Sequence, residues 1–387
     1  MPIKNLKKAA LRIKRAIKNN EKIILYGDSD LDGASATVIT KESIESLGGR
    51  VDAVYFPDRN KERHGLNEQA VNNLKSKAPA LLILLDCGIG NFQEIKLARK
   101  LGFEIIIIDH HIILGKLPTA HIIVDPKQPG DRYRFKELAA GGLALKLVFE
   151  LLGENSSIIK ERNFFEIAAL ATIADMMIQT DDNQDIIEKG LQGLKTPTRP
   201  SLKIFFELDK SLKSAPPREV AQKIVAILNS GDAKNHINAI YSLLVSDSKK
   251  TITSLAKSLI KQKIQRQKRV KEITNEVERL VIKNIKDPII FESKNKWQYS
   301  LLGSVASRIC GKYKKPTFLV QKDFNKKEGL GAGAVRMPKG VDAVKAMTSC
   351  KKLLKTFGGH PAAAGFSIEV GNLEKFKVCL AKYFAKI

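Results

Sequence analysis

The sequence predicts an α/β chain in which a parallel-sheet domain is joined by a long helix to a smaller α/β domain, and three observations carry this. Short apolar runs alternate with helical stretches as far as about residue 195, one charged run with few breakers spans 249–286, and strand and turn signals return after Pro288. Alternation of this kind marks βαβ units, whose sheets are parallel and covered on both faces. With 387 residues, 43% of them hydrophobic, the chain is long enough for more than one core.

The opening stretch MPIKNLKKAALRIKRAIKNN places Leu6, Ala10, Ile13 and Ile17 at spacings of three and four. It reads as a helix packed on the domain with a solvated basic face. It lacks a long apolar core, and no later segment approaches the roughly 18 uncharged apolar residues of a membrane span. KIILYG, VDAVYF, ALLILLD and EIIIID read as strands, separated by the helical stretches ASATVITKESIESLG and FQEIKLARKLG. Helices continue through GGLALKLVFELLG, FFEIAALATIADMM and EVAQKIVAILNSG, and KTPTRP punctuates the chain near 195. The charged run has Leu259, Ile264, Val270, Ile273, Val277 and Leu280 as apolar positions and reads as a connecting helix. Its Lys and Arg residues could follow phosphates, although a solvated helix face is the commoner reason for such a run. Beyond it, PIIFES, WQYSLLG, PTFLVQ and FSIEV read as strands, and SVASRICGKY and VDAVKAMTSCKKLL as helices. The expected divisions are therefore 1–195, 196–286 and 287–387.

Lys and Arg total 66 against 41 Asp and Glu, a formal charge of +25. That excess favours a polyanionic partner, nucleic acid first, through counterion release. A basic chain with no such role is the plain alternative. The four cysteines, Cys87, Cys310, Cys350 and Cys379, form neither a zinc-knuckle spacing nor a dense disulfide framework, which fits a reducing cytoplasm.

The chemistry concentrates at strand ends. KIILYG runs into Asp28-Ser29-Asp30-Leu31-Asp32-Gly33, ALLILLD ends in Asp86-Cys87-Gly88, and EIIIID ends in Asp109-His110-His111. The carboxyl edge of a parallel sheet is where α/β proteins bind ligands. A lone carboxylate there is often a helix cap and a lone histidine is often structural, but three strand ends delivering Asp and His together point to one site. Asp175 closes the apolar run IAALATIAD, and a buried carboxylate needs a partner. A calcium loop fails because no Glu closes the pattern and the flanks are not paired helices. Oxygen-rich donors with one or two imidazoles suit Mn²⁺ or Mg²⁺. Two such ions roughly 3.5 to 4 Å apart form a common device for phosphodiester hydrolysis. Zinc stays open, with no cysteine among the donors to favour a thiolate site.

In this order, GDSDLDG, DCG, DHH and ATIAD resemble the four motifs of the DHH phosphoesterase superfamily. Within it the chain is similar to the RecJ-type exonucleases over nearly its whole length. The matching segments are PDRNKERHGLN (57–67), DPKQPGDRYRFKELAAGGLALKL (125–147), VASRICGKYKKP (305–316) and FGGHPAAAGFSI (357–368). The last marks the DHH-associated substrate-binding domain, an ending that DHH polyphosphatases and pyrophosphatases lack. Oligoribonuclease-type members usually carry a His where this chain has Tyr26.

The resemblance implies a two-ion centre of Mn²⁺ or Mg²⁺ in the cleft between the domains, with Asp30, Asp32, Asp86, His110 and Asp175 as ligands. Asp86 would bridge the ions, Asp28 would replace the missing imidazole, Asp109 would orient His110, and His111 would touch the scissile phosphate. Arg59, Arg308, Arg336, Gly358, Gly359 and His360 would hold the nucleic-acid backbone. Read from its residues alone, GGH allows close approach to a phosphate, or else is a helix C-cap followed by a surface His. The implied activity is hydrolysis of single-stranded DNA from the 5′ end, releasing 5′-mononucleotides in cytoplasmic DNA repair or recombination, with repair or replication proteins as candidate partners.

Departures bear on substrate grip. Gly333-Ala334-Val335-Arg336-Met337 keeps the arginine of the family's GSxRS and loses both hydroxyls, KIVAILNSGDA lacks two arginines, and ADMMI lacks the usual proline. The resemblance also implies a minimal form without the oligonucleotide-binding barrel that follows in longer members. These features leave two alternatives: a phosphodiesterase of short oligonucleotides, RNA among them, or of cyclic dinucleotides; and an inactive replication or repair scaffold.

Overall fold

A computed structural model describes the chain except residues 59–61, 63, 64, 114, 232, 284, 285, 386 and 387, and the side chains of 283 and 327. The chain forms two compact units, Met1–Lys263 and Ile264–Ile387. The first is built on a parallel sheet of β1 (Ile23–Gly27), β2 (Ala53–Tyr55), β3 (Ala80–Leu85), β4 (Phe103–Ile108) and β5 (Ile122–Val124), in the order β2-β1-β3-β4-β5. The four predicted strands are all present. Alternate residues serve opposite faces: Ile23, Leu25, Leu81 and Ile83 enter one core, while Ile24, Tyr26, Leu82 and Leu84 enter the other. A sheet buried on both sides has no polar alternation, which is why these strands read as continuous apolar runs. β5 was not anticipated, because its apolar run is only Ile122–Val124 between His121 and Asp125, whereas β2, also three residues, sits in the longer apolar run Ala53–Phe56.

The larger core takes in the helices Leu31–Ser46, Ala140–Leu152 and Phe164–Ala174, and also the predicted opening helix, Leu6–Lys18, through Leu6, Ala10 and Ile13. It also absorbs Leu202, Phe205, Ile224, Leu228, Leu243 and Leu244. Residues 196–247 therefore belong with the first unit and do not form a separate extension. Their apolar faces are covered only by packing there. A two-residue hairpin, β6 (Ala233–Lys234) and β7 (Ile237–Asn238), follows these helices.

The predicted connecting helix runs Lys249–Lys283. Ile252, Ala256 and Leu259 join the first unit's core, and Val270, Val277 and Val281 join a core of the second. Ile264 is exposed where the units divide.

The second unit has a five-stranded sheet of β8 (Ile290–Lys294), β9 (Thr317–Asn325), β10 (Leu330–Arg336), β11 (Thr356–His360) and β12 (Ala363–Glu369), in the order β11-β12-β10-β9-β8. β8 and β9 are parallel and the other pairs antiparallel. WQYSLLG, expected as a strand, instead opens the helix Tyr299–Tyr313, where Leu301, Leu302, Val305 and Ile309 fall on one buried face. The helical period begins inside the segment that was read by composition. Cys350 and Cys379, 29 residues apart with no spacing signature, are joined in a disulfide, and Cys87 and Cys310 are buried thiols. Among the described residues no helix is long and apolar enough to cross a membrane.

Candidate metal centre

The order β2-β1-β3 reverses direction at β1, and such a switch point opens a crevice at the strands' carboxyl ends. Asp28, Asp30 and Asp32 follow β1, and Asp86 follows β3, so they face one another across the switch. Asp30 caps the helix Leu31–Ser46, its Oδ1 accepting from the N–H groups of Asp32 and Gly33 at 3.0 Å. Gly33 has no room for a side chain, since a Cβ there would lie 2.4 Å from the Asp28 carbonyl oxygen. The last residue of the GDSDLDG motif is thus fixed by close packing of the loop on the helix start.

Asp32 is buried, and its two oxygens accept from the backbone N–H groups of Ala140 (2.8 Å) and Gly141 (2.7 Å), where another helix begins. Sequence reasoning assigned these amides no role. The pair Gly141-Gly142 in AAGGLALKL was the available signal, because a Cβ on Gly141 would sit 2.7 Å from Ala171 Cβ and 3.3 Å from Asp32 Oδ1. Gly141→Ala should destabilise the protein by about 1 to 3 kcal/mol through overpacking and shift Asp32; denaturant unfolding measures the first effect and metal titration the second.

Asp86 has φ 64°, a left-handed backbone that asparagine and aspartate tolerate best, while its N–H still donates to Ile108 O at 2.9 Å. His110 is buried with Nε2 3.1 Å from Asp86 Oδ1, 3.5 Å from Asp32 Oδ2 and 3.7 Å from Asp175 Oδ2. The structure thus brings Asp175, from the end of the helix Phe164–Ala174, to the strand ends. Lys127, another residue missed from sequence, donates from Nζ to His110 O at 2.6 Å.

Asp109 differs from expectation. Its Oδ1 accepts from His111 Nδ1 at 2.8 Å and from the backbone N–H groups of His110 and His111, and its Oδ2 accepts from Ile89 N at 3.0 Å. The ring it orients is that of His111. Burial works against a charge on that ring, but the Asp109 carboxylate and its hydrogen bond outweigh it and raise His111 to about 9. Tyr26 points away into the opposite core, stacks on Tyr55 and donates to Gly65 O at 2.9 Å.

Among the described residues of this unit, three sets of donor atoms lie within 4.8 Å of one another: Asp32, Asp86 and His110; Asp86, Asp109 and His111; and Asp28, Asp30 and Asp86. Asp86 is common to all three. Burial, followed by the charges of neighbouring carboxylates, raises Asp32 and Asp86 well above the usual carboxylate range. So much buried like charge calls for a cation. The donors are hard oxygens with imidazole, and the one nearby thiol, Cys87, is held protonated by burial and by Asp109. That set fits Mn²⁺ or Mg²⁺.

In the second unit, Arg336 and His360 pair with the same residue, Ala363, and so share one row of the sheet. Two strand spacings separate them, about 9.5 Å. Arg336 Nε donates to Ser307 Oγ at 3.0 Å, so a serine outside the strand supplies a hydroxyl contact. Arg308 is exposed on the same helix as Ser307. Gly358 and Gly359 lie in edge strand β11, so GGH belongs to a β-hairpin and is not a helix C-cap; φ at Gly359 is 131°. A turn at residues 361 and 362 leads straight into β12. Arg59 lies outside the described residues.

A chain with this switch-point donor set and this second sheet belongs to the DHH family. Residues 22–174 match the DHH family, N-terminal domain, and residues 286–386 match the DHHA1 domain. Within the family the resemblance is to RecJ. The chain is 34% identical over 373 residues to the single-stranded-DNA-specific exonuclease RecJ of Bacillus subtilis, covering 96% of this chain and 46% of that protein. It is 27% identical over 387 residues to the RecJ of Thermus thermophilus, covering 100% and 55%. The chain thus spans about half the length of these relatives. A crystal structure of exonuclease RecJ bound to manganese superposes with a TM-score of 0.78 at 26% identity, covering 100% of this chain and 96% of that one. The Thermus thermophilus RecJ in complex with Mn²⁺ shares the fold, with a TM-score of 0.82 at 24% identity, covering 100% and 55%.

Proposed function

We propose that the chain is a metal-dependent exonuclease that hydrolyses single-stranded DNA from the 5′ end and releases 5′-mononucleotides, working in the cytoplasm in DNA repair or recombination. The observation that carries this is the sharing of Asp86 by three donor sets, the arrangement a bridging carboxylate needs. Asp32, Asp86, His110 and Asp175 would hold one ion, and Asp28, Asp30 and Asp86 the other. Bound there, Mn²⁺ or Mg²⁺ supplies charge neutralisation at the phosphodiester and acidifies the attacking water.

The remaining work falls to the chain's own side chains. Held as a cation by Asp109, His111 would meet a phosphate oxygen through Nε2, the ring atom turned away from that carboxylate. In the second unit, Arg336 and His360 would take successive parts of the strand's backbone from one row of the sheet, with Arg308 alongside. Arg59 would act with them. The net charge of +25 supports a polyanionic substrate bound without sequence preference.

The test is incubation of the full chain with Mn²⁺ and single strands of DNA and RNA of several lengths, labelled at either end. Long 5′-labelled DNA should yield labelled mononucleotide from the outset, and 3′-labelled DNA a shortening ladder. Consumption of di- to pentanucleotides alone would move the reading to short oligonucleotides, and no cleavage with any ion would move it to a scaffold.

A further inference from the structure

The hairpin formed by β6 and β7 touches the first acidic loop from far along the chain. Its two-residue turn, Asn235 and His236, has φ of 50° and 63°, the left-handed pair of a type I′ hairpin. The hairpin docks on the carboxyl ends of β1 and β2 at several points. The His236 ring stacks on Tyr55 with centroids 4.2 Å apart, and its carbonyl accepts from Phe56 N at 3.3 Å. Tyr55 in turn stacks on Tyr26 and donates to Glu62 Oε1 at 3.0 Å.

Asn238 closes the hairpin and is fully buried. Its Oδ1 caps the helix Ala239–Val245, accepting from Ile240 N at 2.7 Å and Tyr241 N at 3.1 Å. That fixes the orientation of the amide and directs Nδ2 at Ser29 O, to which it donates at 2.8 Å. Ser29 lies between Asp28 and Asp30, and its other polar groups are also engaged: its N–H donates to Asp28 Oδ1 at 2.7 Å, and its Oγ donates to Pro57 O. Every handle on Ser29 is held, and the one from Asn238 reaches across 209 residues of sequence.

We propose that Asn238 is a positioning residue for the metal centre: its amide fixes Ser29 and thereby sets the separation of the Asp28 and Asp30 carboxylates, with the hairpin as its mount. The inference rests on the two-ion reading above. Groups that hold metal ligands in place typically contribute 10- to 100-fold in affinity or activity. The amide therefore does two jobs, a helix cap through Oδ1 and a loop tether through Nδ2, and substitutions can separate them. Asn238→Ser and Asn238→Asp both keep a capping oxygen and remove the amide N–H donor that reaches Ser29 O. His236→Ala, at a part-exposed position, loosens the mount without touching the cap.

The experiment is Mn²⁺ titration by calorimetry on the wild-type chain, these three variants and Asp86→Asn, with kcat and KM on single-stranded DNA at limiting and saturating Mn²⁺. The expected result is a Mn²⁺ Kd raised about tenfold or more in both Asn238 variants, less in His236→Ala, with KM for DNA unchanged and kcat largely restored at saturating Mn²⁺. Wild-type Mn²⁺ affinity in folded Asn238 variants overturns the proposal, as does wild-type affinity in His236→Ala should the Asn238 variants not fold. Failure of the wild type to bind Mn²⁺, or unchanged binding by Asp86→Asn, sinks the two-ion reading and this proposal with it. Loss of binding in Asp86→Asn alone sinks only the role of Asn238.

Discussion

Asp86→Asn should abolish nuclease activity and, in the same protein, raise the melting temperature of the metal-free form. Asparagine keeps the shape of the side chain and tolerates the left-handed backbone at this position, where φ is 64°. The substitution therefore removes a charge with little change in geometry, which Asp86→Ala would not do. A metal centre supplies several kcal/mol of transition-state stabilisation, and about 4 kcal/mol is about a thousandfold in rate. The stability effect has the opposite sign. In the wild type, burial and the Asp32 and Asp30 charges raise Asp86 well above 3.8, so without metal the folded state binds a proton that the unfolded chain releases. Stability from such a group is complete below 3.8 and falls as pH rises toward the raised value. The metal-free wild type should therefore lose stability on going from acid to neutral pH, and Asp86→Asn should lose less. Each kcal/mol relieved is worth about 2 to 4 °C in a unit of this size. Thermal scans of chelator-treated protein at several pH values, with and without Mn²⁺, provide the check. A variant less stable than the metal-free wild type at neutral pH would remove the electrostatic account of the site.

That account was legible in the sequence to the extent that the site is local. Asp28, Asp30 and Asp32, Asp86, and the run Asp109 to His111 each end an apolar strand, and a carboxylate after a buried strand is visible in one dimension. What escaped depends on contacts between distant residues. The amides of Ala140 and Gly141 reach Asp32 from 108 and 109 positions away, and Asn238 reaches Ser29 from 209. Neither an amide N–H nor an isolated asparagine carries a pattern. The fold divides in the same way. Strands β1 to β4 and the connecting helix were legible from period and composition, whereas β11 was obscured by Gly358 and Gly359, which strands usually avoid. KTPTRP has the composition of a boundary, but the structure builds one of the first unit's most connected side chains there.

That side chain is Arg199, and its replacement is the largest stability loss expected here. The guanidinium is buried and meets Glu42 through two oxygens, Nη1 to Oε1 at 2.9 Å and Nη2 to Oε2 at 2.6 Å. Nη1 also donates to Leu244 O, and Nε and Nη2 donate to Arg162 O at 3.2 and 2.6 Å. A guanidinium has five N–H donors, and five hydrogen bonds occupy them. Glu42 lies on the helix that Asp30 caps and that carries Asp32, so Arg199 ties the back of that helix to Arg162 and to Leu244 in the helix Ala239–Val245. Arg199→Met strands a buried carboxylate and should cost about 3 to 5 kcal/mol. Arg199→Lys keeps the charge but lacks the planar fork, and should still lose well over about 1 kcal/mol because buried acceptors go unmet. Adding Glu42→Leu to Arg199→Met should recover part of the loss, since no buried charge is then left alone. Urea unfolding of the three variants measures each quantity. If Arg199→Met cost under about 1 kcal/mol, in the range of a solvated surface pair, the helix bearing Asp32 would have to be held by its apolar contacts and by the bonds from Ala140 and Gly141 to Asp32, without help from Arg199.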